Sequence, residues 1–195
     1  MTRLPSLPLL LPLLLFAAPA AAQGSDPCAD PATACRMLEK VKLEEADGTV
    51  RYVATNINLP YVVQGNVVIT PGESVTIALV KEGNDLVPKL VRFGPASAST
   101  KPGEGEIRFT LSPSKRGKVT LTVESRHAGP LDYAALIATD PGGGNRTSVC
   151  TLTPGVPVIE VWEQPVYQFA AWHFIPSVDP GCKTLKWAPP ERYKR

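Results

Sequence analysis

The chain has 195 residues, of which 20 are Lys or Arg and 18 are Asp or Glu, so its formal charge is +2 with His neutral. A balance this close to zero supplies no long-range field for nucleic acid or for an anionic membrane. The 21 prolines argue against long helices and for many strand ends and turns.

Residues 1–22 read as a secretory signal peptide. Met1-Thr2-Arg3 gives a short positive start, and Leu4 to Phe16 is a leucine-rich run broken by Pro5, Pro8 and Pro12. Ala20-Ala21-Ala22 supplies a small-residue cleavage site before Gln23. A spanning helix needs about 20 apolar residues, more than this run or any later one offers. The expected product is an exported protein, periplasmic or extracellular, with no membrane span. Removing the leader takes one Arg and no acid, which leaves 19 basic against 18 acidic residues.

Residues 23–40 read as a polar leader and a short helix, with Asp30 as N-cap, Pro31 at the first helical position and two turns over Thr33 to Lys40. A β-domain is expected over 41–187, followed by a basic, Pro-containing tail at 188–195. Asp47-Gly48 is a hairpin turn pair between Val41–Glu45 and Thr49–Asn56. Tyr61 to Ile69 is β-branched and aromatic, with Gly65 as a bulge. Ser74–Lys81 and Leu86–Phe93 follow, and Pro88 points to an edge. Gly94 to Gly105 has the composition of a long exposed loop. Glu106–Leu111 alternates cleanly.

The clearest pattern is Gly117 to Asp140. Val119, Leu121 and Val123 alternate with polar residues, and Leu131, Tyr133, Ala135 and Ile137 alternate again after Gly129-Pro130. Two such runs with a short Gly-containing loop predict an antiparallel hairpin. Thr147–Leu152, Val156–Trp162 and Tyr167–Phe174 complete the strands. Together they predict an all-β fold, an antiparallel immunoglobulin-like β-sandwich with a short N-terminal helix.

Chemistry-bearing residues are sparse. His127 sits in a loop and His173 in an aromatic strand, with no zinc or copper spacing around either, so no metal and no other cofactor is expected. No G-x-S-x-G elbow or P-loop is present. Glu160 and Glu163, three apart in a strand, point to opposite faces and make no acid–base pair. A non-enzyme is therefore expected. Asn145-Arg146-Thr147 fits the N-glycosylation pattern, which matters only in a eukaryotic secretory pathway.

Four cysteines in an exported chain predict two disulfides, for which three pairings exist. Nearness in sequence favours Cys28–Cys35 and Cys150–Cys182. The C-terminal third holds Trp162, Tyr167, Phe169, Trp172, Phe174 and Trp187. Trp162 and Trp172 fall on the core side of the alternation, while Tyr167 and Trp187 are the candidates for an exposed ligand platform.

Two stretches resemble known families. Thr70-Pro71-Gly72-Glu73-Ser74-Val75-Thr76-Ile77 is similar to strand starts of bacterial immunoglobulin-like domains. Asn56 to Gln64, with Pro60 and Tyr61, resembles the N-x-x-x-P-Y-x-x-Q strand of periplasmic pilus chaperones. That resemblance implies two immunoglobulin-like domains and strand donation to a subunit, but the chain is too short for two such domains and lacks matching basic anchors. The expected function is an exported, non-enzymatic binding or structural module for a protein or a glycan. The alternatives are a carbohydrate-binding module using the C-terminal aromatics, and a chaperone-like strand donor.

Overall fold

The computed structural model describes residues 28–29, 33–98, 100–139 and 143–184, with only the backbone described over 54–58. Among these residues there are fourteen strands and no helix. β1 (Cys35–Glu44) and β2 (Val50–Pro60) form a separate two-stranded sheet. Ten strands join into one antiparallel sheet: β3 (Val62–Val63), β4 (Asn66–Ile69), β5 (Glu73–Glu82), β6 (Asp85–Pro95), β7 (Glu106–Leu111), β8 (Val119–Ser125), β9 (Leu131–Ala138), β10 (Asn145–Arg146), β12 (Val158–Trp162) and β13 (Gln168–Pro176). β11 (Val149–Cys150) and β14 (Cys182–Lys183) make a small third sheet across the second disulfide.

The ten-stranded sheet runs β10-β9-β13-β6-β5-β7-β8-β12, with β4 on β13 and β3 on β4. Its two halves meet at one residue pair, Phe174 with Leu86. There β13 carries a bulge between Trp172 and Ile175, and His173 takes a φ of +54°. His is among the few side chains that tolerate this left-handed region. The extra residue lets β13 leave β4 after Ala171 and reach β6. The sheet then folds over itself. Phe109 on β7 lies 5.9 Å from the ring of Tyr133, 6.1 Å from Phe169 and 6.3 Å from Phe174.

The alternation in Val119–Ser125 is as expected, with Val119, Leu121 and Val123 buried. The hairpin expected from Gly117 to Asp140 is not there. β8 pairs with β7 and β12, and β9 pairs with β10 and β13. The turn at Gly129-Pro130 carries the chain from one half of the sheet to the other, so the apolar faces of β8 and β9 meet the same core from opposite sides. Alternation specifies which face is buried, not which strand is the neighbour.

Three further expectations change. The predicted helix over Thr33 to Lys40 is strand from Cys35 onward, and its start at Asp30-Pro31 lies outside the described residues. Arg36, Val41 and Leu43 are buried and β1 zips along β2, so packing overrides a segment of fair helix formers. Gly65 is not a bulge. Gln64 and Gly65, with φ of 49° and 80°, form the tight turn between β3 and β4. The loop expected from Gly94 to Gly105 is largely exposed, but its first two residues are strand and the rest is tied down. β6 runs to Pro95, Pro102 is buried, and two arginines clamp what lies between. Arg108 donates to the carbonyls of Ala98 and Thr100, and Arg92 to that of Lys101. Glu106 accepts from Gly103 N–H at 2.6 Å and from Arg92 at 2.7 Å.

Two measurements test this description. Leu121 is fully buried, so Leu121→Ala should cost about 2–5 kcal/mol in urea unfolding. Thr120→Ala, on the other face, should cost less than about 1 kcal/mol; equal losses would contradict the assigned faces. Arg108→Ala should speed subtilisin cleavage between Ala96 and Gly105 about tenfold, since the loop loses charge-assisted hydrogen bonds. Unchanged cleavage would mean the clamp does not hold the loop.

Candidate functional site

The β1–β2 sheet lies against the body through a second apolar cluster of Val41, Leu43, Val53, Ala138 and Tyr167. One end of β1 is clasped. Gly117 N–H donates to Glu44 O at 2.9 Å, Ser114 Oγ donates to the same carbonyl at 2.8 Å, and Glu44 N–H donates to Ser114 Oγ at 3.1 Å. Gly117 is needed here because its φ is +72° and a Cβ would come within 3.0 Å of the Ala46 backbone. At its other end, buried Arg36 pairs with Glu73 at 3.1 Å, donates to Val68 O and stacks on Tyr61. Burial pulls the Arg36 guanidinium below its ordinary value, and Glu73 opposes that.

Between these two anchors, β1 and the body enclose a groove of about 780 Å³. One wall is β1 from Leu38 to Glu44, and the other is Ser112 to Lys118 with Thr120. Thr70 and Pro71 also line it. β1 hydrogen-bonds as a strand only to β2, so its groove-side edge has no strand partner among the described residues. Four lysines line the groove: Lys40 and Lys42 on β1, and Lys115 and Lys118 across from them. Lys118 pairs with exposed Glu163 at 2.6 Å, and the Lys40 ammonium sits 4.9 Å from the Tyr52 ring. The one acidic lining residue, Glu44, accepts from Arg116 N–H at 3.0 Å. The groove therefore offers a strand edge together with three lysines, Lys40, Lys42 and Lys115, that no described carboxylate pairs with.

Sequence reasoning passed over these lysines: it ended a helix at Lys40 and gave Lys42, Lys115 and Lys118 no role. The residues it did single out lie elsewhere. Tyr167, expected as an exposed platform, is buried in the second cluster against the β1–β2 sheet. It follows Val166 just before β13, where the apolar underside of β1 covers it. Trp187 lies outside the described residues. Trp172 is buried, and half-buried Trp162 packs on the main core with its indole N–H donating to Thr147 Oγ1 at 3.0 Å. His127 sits in its loop with Nδ1 accepting from Gly129 N–H at 3.3 Å. His173 occupies the β13 bulge, where burial lowers its pKa and Asp85 partly offsets that.

The disulfides are Cys28–Cys35 and Cys150–Cys182, the two pairings that sequence nearness favours. Beside the second, buried Asp132 meets Lys183 at 2.7 Å and accepts from Thr151 Oγ1 at 2.6 Å. Burial would push Asp132 up, but these partners and Ser177 bring it below its ordinary value. Among the described residues no three His, Cys, Asp or Glu side chains converge as a metal site, and no helix is long and apolar enough to cross a membrane. No protein-family profile, curated protein or solved structure matches this chain.

Glu160 lies within β12 and Glu163 just beyond its end, so strand alternation does not relate the two. Glu163 is exposed and its pKa is lowered by the hydrogen bond from Lys118. Glu160 turns inward and accepts from Cys150 N–H at 2.8 Å, and burial raises its pKa against that hydrogen bond. A carboxyl whose pKa is higher folded than unfolded costs stability once both states ionise, and that cost vanishes below the unfolded value. Glu160→Gln keeps the acceptor and removes the charge. It should raise the urea midpoint relative to wild type at pH 7 and lose that advantage at pH 3.5. An advantage of equal size at both pH values would contradict the burial penalty.

Proposed function

We propose that this protein is an exported, non-enzymatic binding module whose ligand lies in the groove between β1 and the Ser112–Lys118 turn. The observation that carries this is the coincidence of an edge, from Lys40 to Leu43, that no described strand pairs with, and Lys40, Lys42 and Lys115, for which no described carboxylate forms an ion pair. The groove falls within the roughly 300–1,000 Å³ of ordinary ligand sites. Its charge sets the ligand's sign as negative. Export is supported by the leader sequence and by the two disulfides, which persist in oxidising compartments. The carbohydrate platform loses support because Tyr167 is covered.

Poly-L-glutamate serves as a probe, titrated by calorimetry at low salt. Lys42→Glu with Lys115→Glu should weaken its binding at least about tenfold, equivalent to 1.4 kcal/mol. The charge-matched pair Lys81→Glu with Lys89→Glu lies toward the far end of the β5–β6 hairpin and should leave binding unchanged. Equal losses from both pairs would mean the protein answers to overall charge and has no site in the groove.

A further inference from the structure

We infer that the occupant of this groove is an extended acidic peptide segment that adds to the edge of β1 as a third strand of the β1–β2 sheet. The inference rests on the binding reading above and gives its ligand a chemical class.

Three features carry it. The first is the backbone. From Lys40 to Leu43, β1 has β2 on one side and, on the other, the groove with no described strand in it. A strand edge presents alternating N–H and C=O groups, and the group that matches such a ladder is another extended peptide backbone. A polysaccharide or nucleic acid offers no matching ladder.

The second feature is the spacing of charge. Lys40 and Lys42 are exposed on one face of β1, while Val41 and Leu43 are buried on the other. Residues two apart in a strand lie roughly 6.5–7 Å apart on the same face. Carboxylates at alternate positions of an added strand come directly opposite them, the arrangement in which cross-strand pairs of opposite charge are favourable. Lys115 and Lys118 place further charge on the far wall, and half-buried Leu38 with Pro71 and Pro113 supplies apolar surface for the residues between.

The third feature is exclusion. Lysines on an open strand edge oppose pairing with a second copy of that edge, because like charges would face each other. The same residues that keep two β1 strands apart select a partner strand of the opposite sign. Both ends of β1 are fixed to the body, by Arg36 with Glu73 and by Glu44 with Ser114 and Gly117. The edge is thus preorganised, and little ordering cost falls on the protein when a strand arrives.

The test uses the mature protein and a blocked eight-residue peptide of alternating Glu and Thr. A second peptide of the same sequence is N-methylated at alternate residues, so that one backbone edge cannot donate. Heparin is the non-peptide polyanion. Binding is followed by calorimetry and by amide hydrogen exchange of Lys40 to Leu43, with near-UV circular dichroism confirming that each variant is folded. The expected result has several parts. The unmethylated peptide binds and slows exchange of the β1 amides that point away from β2. N-methylation weakens binding at least tenfold, and Lys42→Glu does the same. Equal binding of both peptides, with no β1 amide protected, would overturn strand addition while leaving the groove as an anion site. Heparin binding tighter than the peptide, lost in Lys42→Glu, would overturn the peptide class and likewise keep the groove. Failure of all three probes, or binding unaffected by Lys42→Glu with Lys115→Glu, would overturn the groove reading itself.

Discussion

The fold depends on the contact between Phe109 and the three rings opposite it. Tyr133 and Phe174 stack with ring centroids 5.9 Å apart, and Phe109 meets them edge-on while Phe169 lies tilted beside it. These side chains come from β7, β9 and β13, which no hairpin joins to one another. Backbone hydrogen bonds link the two halves of the sheet at a single residue pair. What closes them face to face is therefore burial of aromatic surface, and aromatic pairs of this kind add about 0.5–1.5 kcal/mol each beyond the area they bury. The bulge at His173 serves that closure, because it is where β13 turns from one half toward the other.

Much of this was legible in the sequence, and what was not has a common cause. Period-2 alternation placed the strands at Glu106–Leu111, Val119–Ser125 and Leu131–Ala138 and said which residues face inward. It could not say that β8 and β9 sit in opposite halves, because a buried face looks the same whichever strand lies beside it. Asp47-Gly48 marked the β1–β2 turn through local chemistry alone, and Thr49 N–H donating to Asp47 Oδ1 at 2.8 Å completes it. The segment TACRMLEK gave the opposite lesson. Its helix formers satisfy a local rule, and the strand wins through a partner many residues away and a core that Val41 and Leu43 join. Tyr167 was misjudged in the same way, being covered by β1, whereas the Gly94–Gly105 stretch is largely exposed as expected but is tied down by Arg92 and Arg108. The groove was not legible at all, since an unpaired edge is a property of strand order and leaves no mark on the strand's own residues.

The β1–β2 sheet has an unusual position in this account. Among the described residues it shares no strand ladder with the rest, and it is held by side chains and by the hydrogen bond from Gly117 N–H to Glu44 O. Arg36 at one end is buried against Glu73, Tyr61 and the Val68 carbonyl, and Tyr61 in turn stacks on Phe93 at 4.4 Å. A buried guanidinium is worth little to stability against an apolar replacement, but removing one partner leaves an unpaired charge. Such an arrangement fixes geometry more than it adds free energy. It holds β1 at a set distance from the Ser112–Lys118 wall, which a purely apolar contact would leave free to slide.

The way two other edges are treated sharpens the assignment of the groove. β12 is an edge only five residues long, and it turns Glu160 inward to the Cys150 amide. On the side away from β5, β6 pairs with no described strand beyond Leu86, and it carries Pro88, which cannot donate to a ladder. Short length, an inward charge and proline are each a device that discourages a further strand. Between Lys40 and Leu43, β1 has none of them. It is long, lacks proline and keeps its charges on the outward face. A wall stands opposite at groove width, so an incoming strand has a second surface to touch. Lysine alone guards this edge, and lysine repels only partners of its own sign. The edge is closed to copies of itself and open to an acidic strand.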